Sequence, residues 1–151
     1  IRTNLTESEV REKIKDLEVV YSDCCAKAVS QLAVLKKLNV TQSEDCVPEI
    51  PWAKLLQLSD LTLAYPNDDV FTNMICVQAS ITSLFLMWDD SVFLDFKLLA
   101  GFVNLVDIML GMPSDSFVHI ETLPRLPKLR RIVCVATIAD SIAQIFINAG
   151  F

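Results

Sequence analysis

Histidine is nearly missing from this chain and glycine is scarce: one histidine and three glycines in 151 residues. With His119 alone, no His-based triad, paired-His zinc site or H-E-x-x-H motif can be assembled. Gly101, Gly111 and Gly150 stand too far apart to build a phosphate-cradling loop. Basic charge is thin as well. Residues 51–120 hold only Lys54 and Lys97 against eight Asp residues, so most of the chain lacks the dense Lys and Arg array that backbone binding to nucleic acid requires. The five cysteines, Cys24, Cys25, Cys46, Cys76 and Cys134, form no C-x-x-C pair. Their odd number reads as reduced, mostly buried thiols of an intracellular protein. The sequons Asn4-Leu5-Thr6 and Asn39-Val40-Thr41 point the other way, but such tripeptides are frequent by chance.

Long uncharged apolar runs are also missing. Ile1 to Val10 is polar and does not read as a secretory signal. Val92 to Leu110 has the length to span a bilayer, yet Asp95, Lys97, Asn104 and Asp107 interrupt it. Central charges cost about 2.5–3.5 kcal/mol each on insertion. The stretch therefore reads as a buried core helix. These absences predict a protein that is not an enzyme, uses no cofactor or metal and has no transmembrane segment.

What is present is core material. Apolar residues make up 52% of the chain, mean hydropathy is +0.42 and charged residues are 21%. A chain of this size suits one domain, residues 1–151, burying roughly two-thirds of its unfolded surface. The apolar excess predicts a protein partner, a homo-oligomer or a membrane surface over a lone monomer.

The apolar spacing predicts an all-α, single-domain helical bundle of about five helices with a long first helix. Thr6-Glu7-Ser8-Glu9 has capping-box spacing, and Val10, Ile14, Leu17, Tyr21, Cys24, Ala28, Gln31, Leu35 and Leu38 alternate steps of four and three. Residues 39–51 read as a loop. A second helix is expected from Trp52 to Ala64, a third from Val70 to Met87, a fourth ending at Leu110 before Gly111, and a fifth from Lys128 to Asn148. No segment reads as a strongly alternating strand, and no internal repeat is read. The pairs Asp68-Asp69 and Asp89-Asp90 would suit Mg²⁺ or acid–base chemistry, but each precedes an apolar run and reads as a helix cap. The adjacent Cys24 and Cys25 read as core. Arg125, Lys128, Arg130 and Arg131 form a basic group at the start of the fifth helix, where the dipole disfavours positive charge; a solvated face or local acidic partners is the favoured reading, and contact with an anion such as RNA, or with an acidic protein surface, the alternative.

Residues 23–87 resemble a known family. The string Val29-x-x-Leu32-x-Val34-Leu35-x-x-Leu38-x-Val40, then Trp52-Ala53, Gln57-Leu58 and Phe71-x-x-Met74, is similar to the small helical polymerase cofactor of coronaviruses and related nidoviruses, non-structural protein seven. The first helix and first loop are longer than that family's, and residues 88–151 are additional. The resemblance implies a non-enzymatic helical cofactor in the host cytoplasm. It would pair with a second helical cofactor and the viral RNA-dependent RNA polymerase, supporting processive synthesis and meeting RNA only indirectly. It places the partner surface at Val34, Leu35, Leu38, Trp52, Phe71 and Met74. Two other readings use the same apolar content: a helical adaptor of the apoptosis-regulator kind, holding an amphipathic helix in an apolar groove, and a lipid-binding helical domain.

Overall fold

A computed structural model describes residues 33–41, 50–88, 95–111 and 123–135, together with the backbone of residues 16–20. The described residues contain six short strands: β1 Asp16–Val20, β2 Lys37–Thr41, β3 Asp60–Ala64, β4 Ser83–Met87, β5 Asp107–Gly111 and β6 Arg131–Cys134. They form one sheet in the order β1-β2-β3-β4-β5-β6, and every neighbouring pair is parallel.

A single recurring pattern builds this sheet. Leu35-x-x-Leu38-x-Val40 is followed by Leu58-x-x-Leu61-x-Leu63, Ile81-x-x-Leu84-x-Leu86, Leu105-x-x-Ile108-x-Leu110 and Leu129-x-x-Ile132-x-Cys134. Successive strands pair at offsets of 21, 23, 23, 24 and 24 residues, as in Lys37↔Asp60 and Ser83↔Asp107. Each period is thus one coil, described in full between β3 and β4: a strand, a turn, an apolar connection and the return to the next strand. A short strand that recurs every 21–24 residues and stacks in parallel makes the described residues a solenoid of coils.

Stacked coils place equivalent residues in columns, and these columns are the core. Leu35, Leu58, Ile81 and Leu105, which lead into successive strands, are each fully buried. The second and fourth strand positions continue the packing: Leu38, Leu61, Leu84 and Ile108 in one column, Val40, Leu63, Leu86 and Leu110 in the next, all at 2% exposure or less. The connections close the other side with Trp52, Leu55, Met74, Val77, Leu99, Phe102 and Leu126. An edge-to-face contact between Phe71 and Phe102, with ring centroids 6.4 Å apart, joins two consecutive connections.

Backbone hydrogen bonds index the coils at the strand entrances. Lys36 carbonyl accepts from the amides of both Ser59 and Asp60, Ser59 carbonyl from Thr82 and Ser83, Thr82 carbonyl from Val106 and Asp107, and Val106 carbonyl from Arg130 and Arg131. From β2 to β6 each coil is therefore tied to the next at the same point, consistent with the register of the strands.

The expected helical bundle is corrected by this arrangement: the fold is of the α/β kind, a parallel sheet with short helical connections. The end of the expected first helix and the start of the loop after it are β2. Trp52–Ala64 is a 3-10 turn, Trp52–Lys54, followed by β3. Val70–Met87 divides into α1, Asp68–Asn73, a 3-10 turn at Gln78–Ser80 and β4. The expected fourth helix is a 3-10 segment, Phe96–Gly101, followed by β5. The described start of the fifth is β6; its remainder lies outside the described residues, as do the capping box at Thr6, the pair Asp89-Asp90, His119, Cys24, Cys25 and Cys46. The physical reason is period. Steps of three such as Leu55, Leu58, Leu61 imitate one helix face, but here the run passes from a connection, Leu55 and Leu58, into a strand at Leu61.

The cap expected ahead of the third helix is present one residue earlier: Asn67 is the N-cap of α1, its side chain accepting from Val70 N–H at 3.1 Å, with Asp68 and Asp69 in the first turn. Among the described residues no helix is long and apolar enough to cross a membrane.

Candidate functional site

The first, third and fifth residues of β2 to β5, and the first and third of β6, point to the sheet face opposite the core. On β2 and β3 these positions are mostly polar: Lys37, Asn39 and Thr41, then Asp60 and Thr62, with Ala64 last. Across β4, β5 and β6 the character changes. Phe85, Met109 and Val133 stand side by side in register, and Met87 pairs with Gly111 in the adjacent row. Val135, just beyond β6, is 60% exposed and Met87 is 37% exposed.

Gly111 shapes this patch. A side chain there would come within 3.2 Å of Phe85 Cε2 and 3.5 Å of Met87 Cγ. The Phe85 ring therefore lies diagonally over the neighbouring strand, covering bare backbone.

Tyr65 follows β3 directly and has φ +59°, a left-handed conformation that costs a bulky residue roughly 1–2 kcal/mol. Its amide donates to Met87 carbonyl at 2.6 Å. The equivalent residue after β4, Trp88, is buried, whereas Tyr65 is 40% exposed. The strained backbone thus accompanies an aromatic side chain released to solvent beside Met87.

Charge borders the patch at the strand entrances. Asp107 and Arg131, paired in register, form an ion pair with Nε to Oδ1 at 2.7 Å. Lys128 Nζ donates to Asn104 Oδ1, and Asn104 Nδ2 donates to Ala79 carbonyl at 2.7 Å, tying three connections together. Arg125 and Arg130 are exposed and have no ion pair or hydrogen-bonding side-chain partner among the described residues.

The expected partner-binding residues are placed differently. Leu35, Leu38, Phe71 and Met74 are at most 2% exposed and Trp52 is 5% exposed, all within the core cluster, while Val34 is half-buried in the turn before β2. All but Val34 share the interior and present no face to solvent. The basic group is exposed throughout but spread along the chain: Arg125 and Lys128 lie in the connection before β6, Arg130 immediately precedes the strand and Arg131 begins it. The apolar surface positions were hidden in the sequence because Phe85 and Val133 fit the helical spacing. Once the coil period is known, an apolar residue at an odd strand position is the signal that exposes them.

Little else on the described surface offers chemistry. No group of three or more His, Cys, Asp or Glu suited to holding a metal occurs among the described residues. Cys76 is an exposed free thiol; Cys134 is half-buried, and burial pushes its thiol pKa up, away from reactive thiolate. No family model, curated protein or solved structure matches the chain.

Proposed function

We propose that this chain is a non-enzymatic binding protein whose open sheet face receives a protein partner. One observation carries the reading: outward positions of three consecutive strands, where polar residues are expected, hold Phe85, Met87, Met109 and Val133 in one contiguous patch. Stacked coils of this type generate an extended surface along their strands, and contiguous apolar residues open to solvent mark interaction sites; here Met87 is exposed and Phe85, Met109 and Val133 are half-buried. A partner role also accounts for the apolar excess of the composition. The narrower role of a helical polymerase cofactor depended on helix faces at Leu35, Leu38, Phe71 and Met74; those residues are interior, so the sheet face takes their place in the proposal.

Site-specific photo-crosslinking tests it. A benzophenone amino acid at Met109 is expected to give a discrete heavier adduct with another protein in cells, identifiable by mass spectrometry, whereas the same group at Lys54, on an exposed connection, gives none. Equal labelling from both positions would overturn the assignment of the binding face.

A further inference from the structure

We infer that the connections of successive coils form a second docking surface, one that takes an anionic lipid bilayer. This surface lies on the connections, not on the open sheet face, and stands independently of the role proposed for that face. Two residues before each core residue that leads into a strand, five consecutive coils carry an exposed apolar side chain: Ala33, Leu56, Ala79, Val103 and Pro127. Their spacings of 23, 23, 24 and 24 follow the strand register, so they stack as one column. Leu56 is 62% exposed and Val103 45%, and Ile75, earlier in the connection that carries Ala79, is 71% exposed. The residues just before four of them, Leu55, Gln78, Phe102 and Leu126, are buried, so the column is the outward counterpart of the core. Hydrogen bonds hold it in place: Asn104 Nδ2 donates to Ala79 carbonyl, and Lys128 Nζ donates to Asn104 Oδ1.

Charge on the same surface is of one sign. The stretches that carry the column, residues 50–58, 73–80, 97–104 and 123–128, contain Lys54, Lys97, Arg125 and Lys128 and no acidic residue, in a chain whose net charge is −6. All four cations are exposed. Lys128 is bonded to a neutral amide, and Lys54, Lys97 and Arg125 have no ion pair among the described residues, so no carboxylate there cancels them. The acids of these connections, Asp68, Asp69 and Asp95, come earlier, where α1 and the 3-10 segment begin. Lys54 falls between Ala53 and Leu56, and Arg125 and Lys128 flank Pro127, so cations and apolar tips alternate. Such a surface fits an occupant that carries negative charge over an apolar layer. A bilayer of anionic lipid offers both: its headgroups meet Lys and Arg, whose long stems keep the charge at headgroup level while Leu56, Ile75 and Val103 reach the acyl boundary. Nucleic acid supplies the charge and nothing for the apolar tips. A protein partner would favour a clustered anchor at the centre of its footprint, whereas these side chains come singly along the stack.

Co-sedimentation of the full chain with vesicles tests the inference, using phosphatidylcholine alone and phosphatidylcholine mixed with phosphatidylserine. Binding to the mixed vesicles is expected to be about tenfold tighter at about 0.1 M salt, with the gap closing near 1 M, where screening acts within about 3 Å. Lys54→Gln should weaken that binding about fivefold, the equivalent of about 1 kcal/mol for one cation near the surface. Thr41→Glu changes net charge by the same amount on the sheet face and should leave binding unchanged. Leu56→Glu with Val103→Glu should abolish binding, circular dichroism confirming the fold. The comparison of Lys54→Gln with Thr41→Glu decides the question even if that double variant fails to fold. Equal binding to the two kinds of vesicle, binding to neither, or an equal loss from Lys54→Gln and Thr41→Glu overturns the inference. A discrete protein adduct from the benzophenone group at Lys54 overturns it as well, because it would put a protein on this surface. The sheet face is judged separately, by the Met109 crosslink.

Discussion

Gln78 shows how much one polar residue can constrain a stack of leucines. It is 5% exposed, and its Nε2 donates to Phe71 carbonyl at 2.8 Å, fastening the end of α1 to the turn that follows. Its amide occupies the place where a side chain on Gly101, one coil later, would stand. Gly101 is therefore required for close approach between coils, not for an unusual backbone angle. Gly101→Ala is expected to displace the amide, break its bond and destabilise the protein by about 1–3 kcal/mol, read as a lower thermal midpoint by circular dichroism. Gly111→Ala is the comparison. Its new methyl would press on the Phe85 ring, which lies on the open face and has room to tilt, so the loss should stay below about 1 kcal/mol.

At the scale of elements, none of the pieces is stable alone. Strands of four or five residues and a six-residue helix are each too short to persist in water, so their stability comes from the columns they contribute. Leu84 in β4 is 1% exposed and has in-register neighbours at Leu61 and Ile108. Leu84→Ala should cost about 2–5 kcal/mol, because the rigid coils on either side cannot collapse into the space. Asn67→Ala, which removes the α1 cap and no core volume, should cost about 0.5–2 kcal/mol. Urea unfolding of both variants gives the ordering; a reversed order would mean that α1, not the strand columns, organises the coils. The helical expectation failed at this same scale. Leu126, Leu129 and Ile132 recur every three residues as a helix face does, but Leu126 closes a connection, Leu129 enters the strand and Ile132 belongs to it.

For the whole molecule, stacking makes stability depend on position along the chain. Inward residues of β3 and β4 are at most 2% exposed, while Ile132 and Cys134 of β6 are only half-buried. In a solenoid each coil is stabilised by burial against its neighbours, so a coil whose inward residues are only half-buried opens at lower free energy than one whose inward residues are fully buried. Native-state hydrogen exchange is expected to show β6 amides exchanging faster than those of β3 and β4. Uniform protection would show instead that the sheet opens only as one unit.

The sequence by itself determined the core composition, the basic group at Arg125 to Arg131, the cap at the start of α1 and the shortage of residues for common catalytic motifs. It also carried the coil repeat, legible as Leu58, Ile81, Leu105 and Leu129 at spacings of 23 and 24, but a reading in windows of a single helix length cannot see a period longer than the window. Only the tertiary structure decided which apolar residues are interior and which form a surface. Leu84 and Phe85 are adjacent and both strongly apolar; the direction of each was set when β4 paired with β3 and β5, since parallel pairing commits alternate side chains to opposite faces of the sheet.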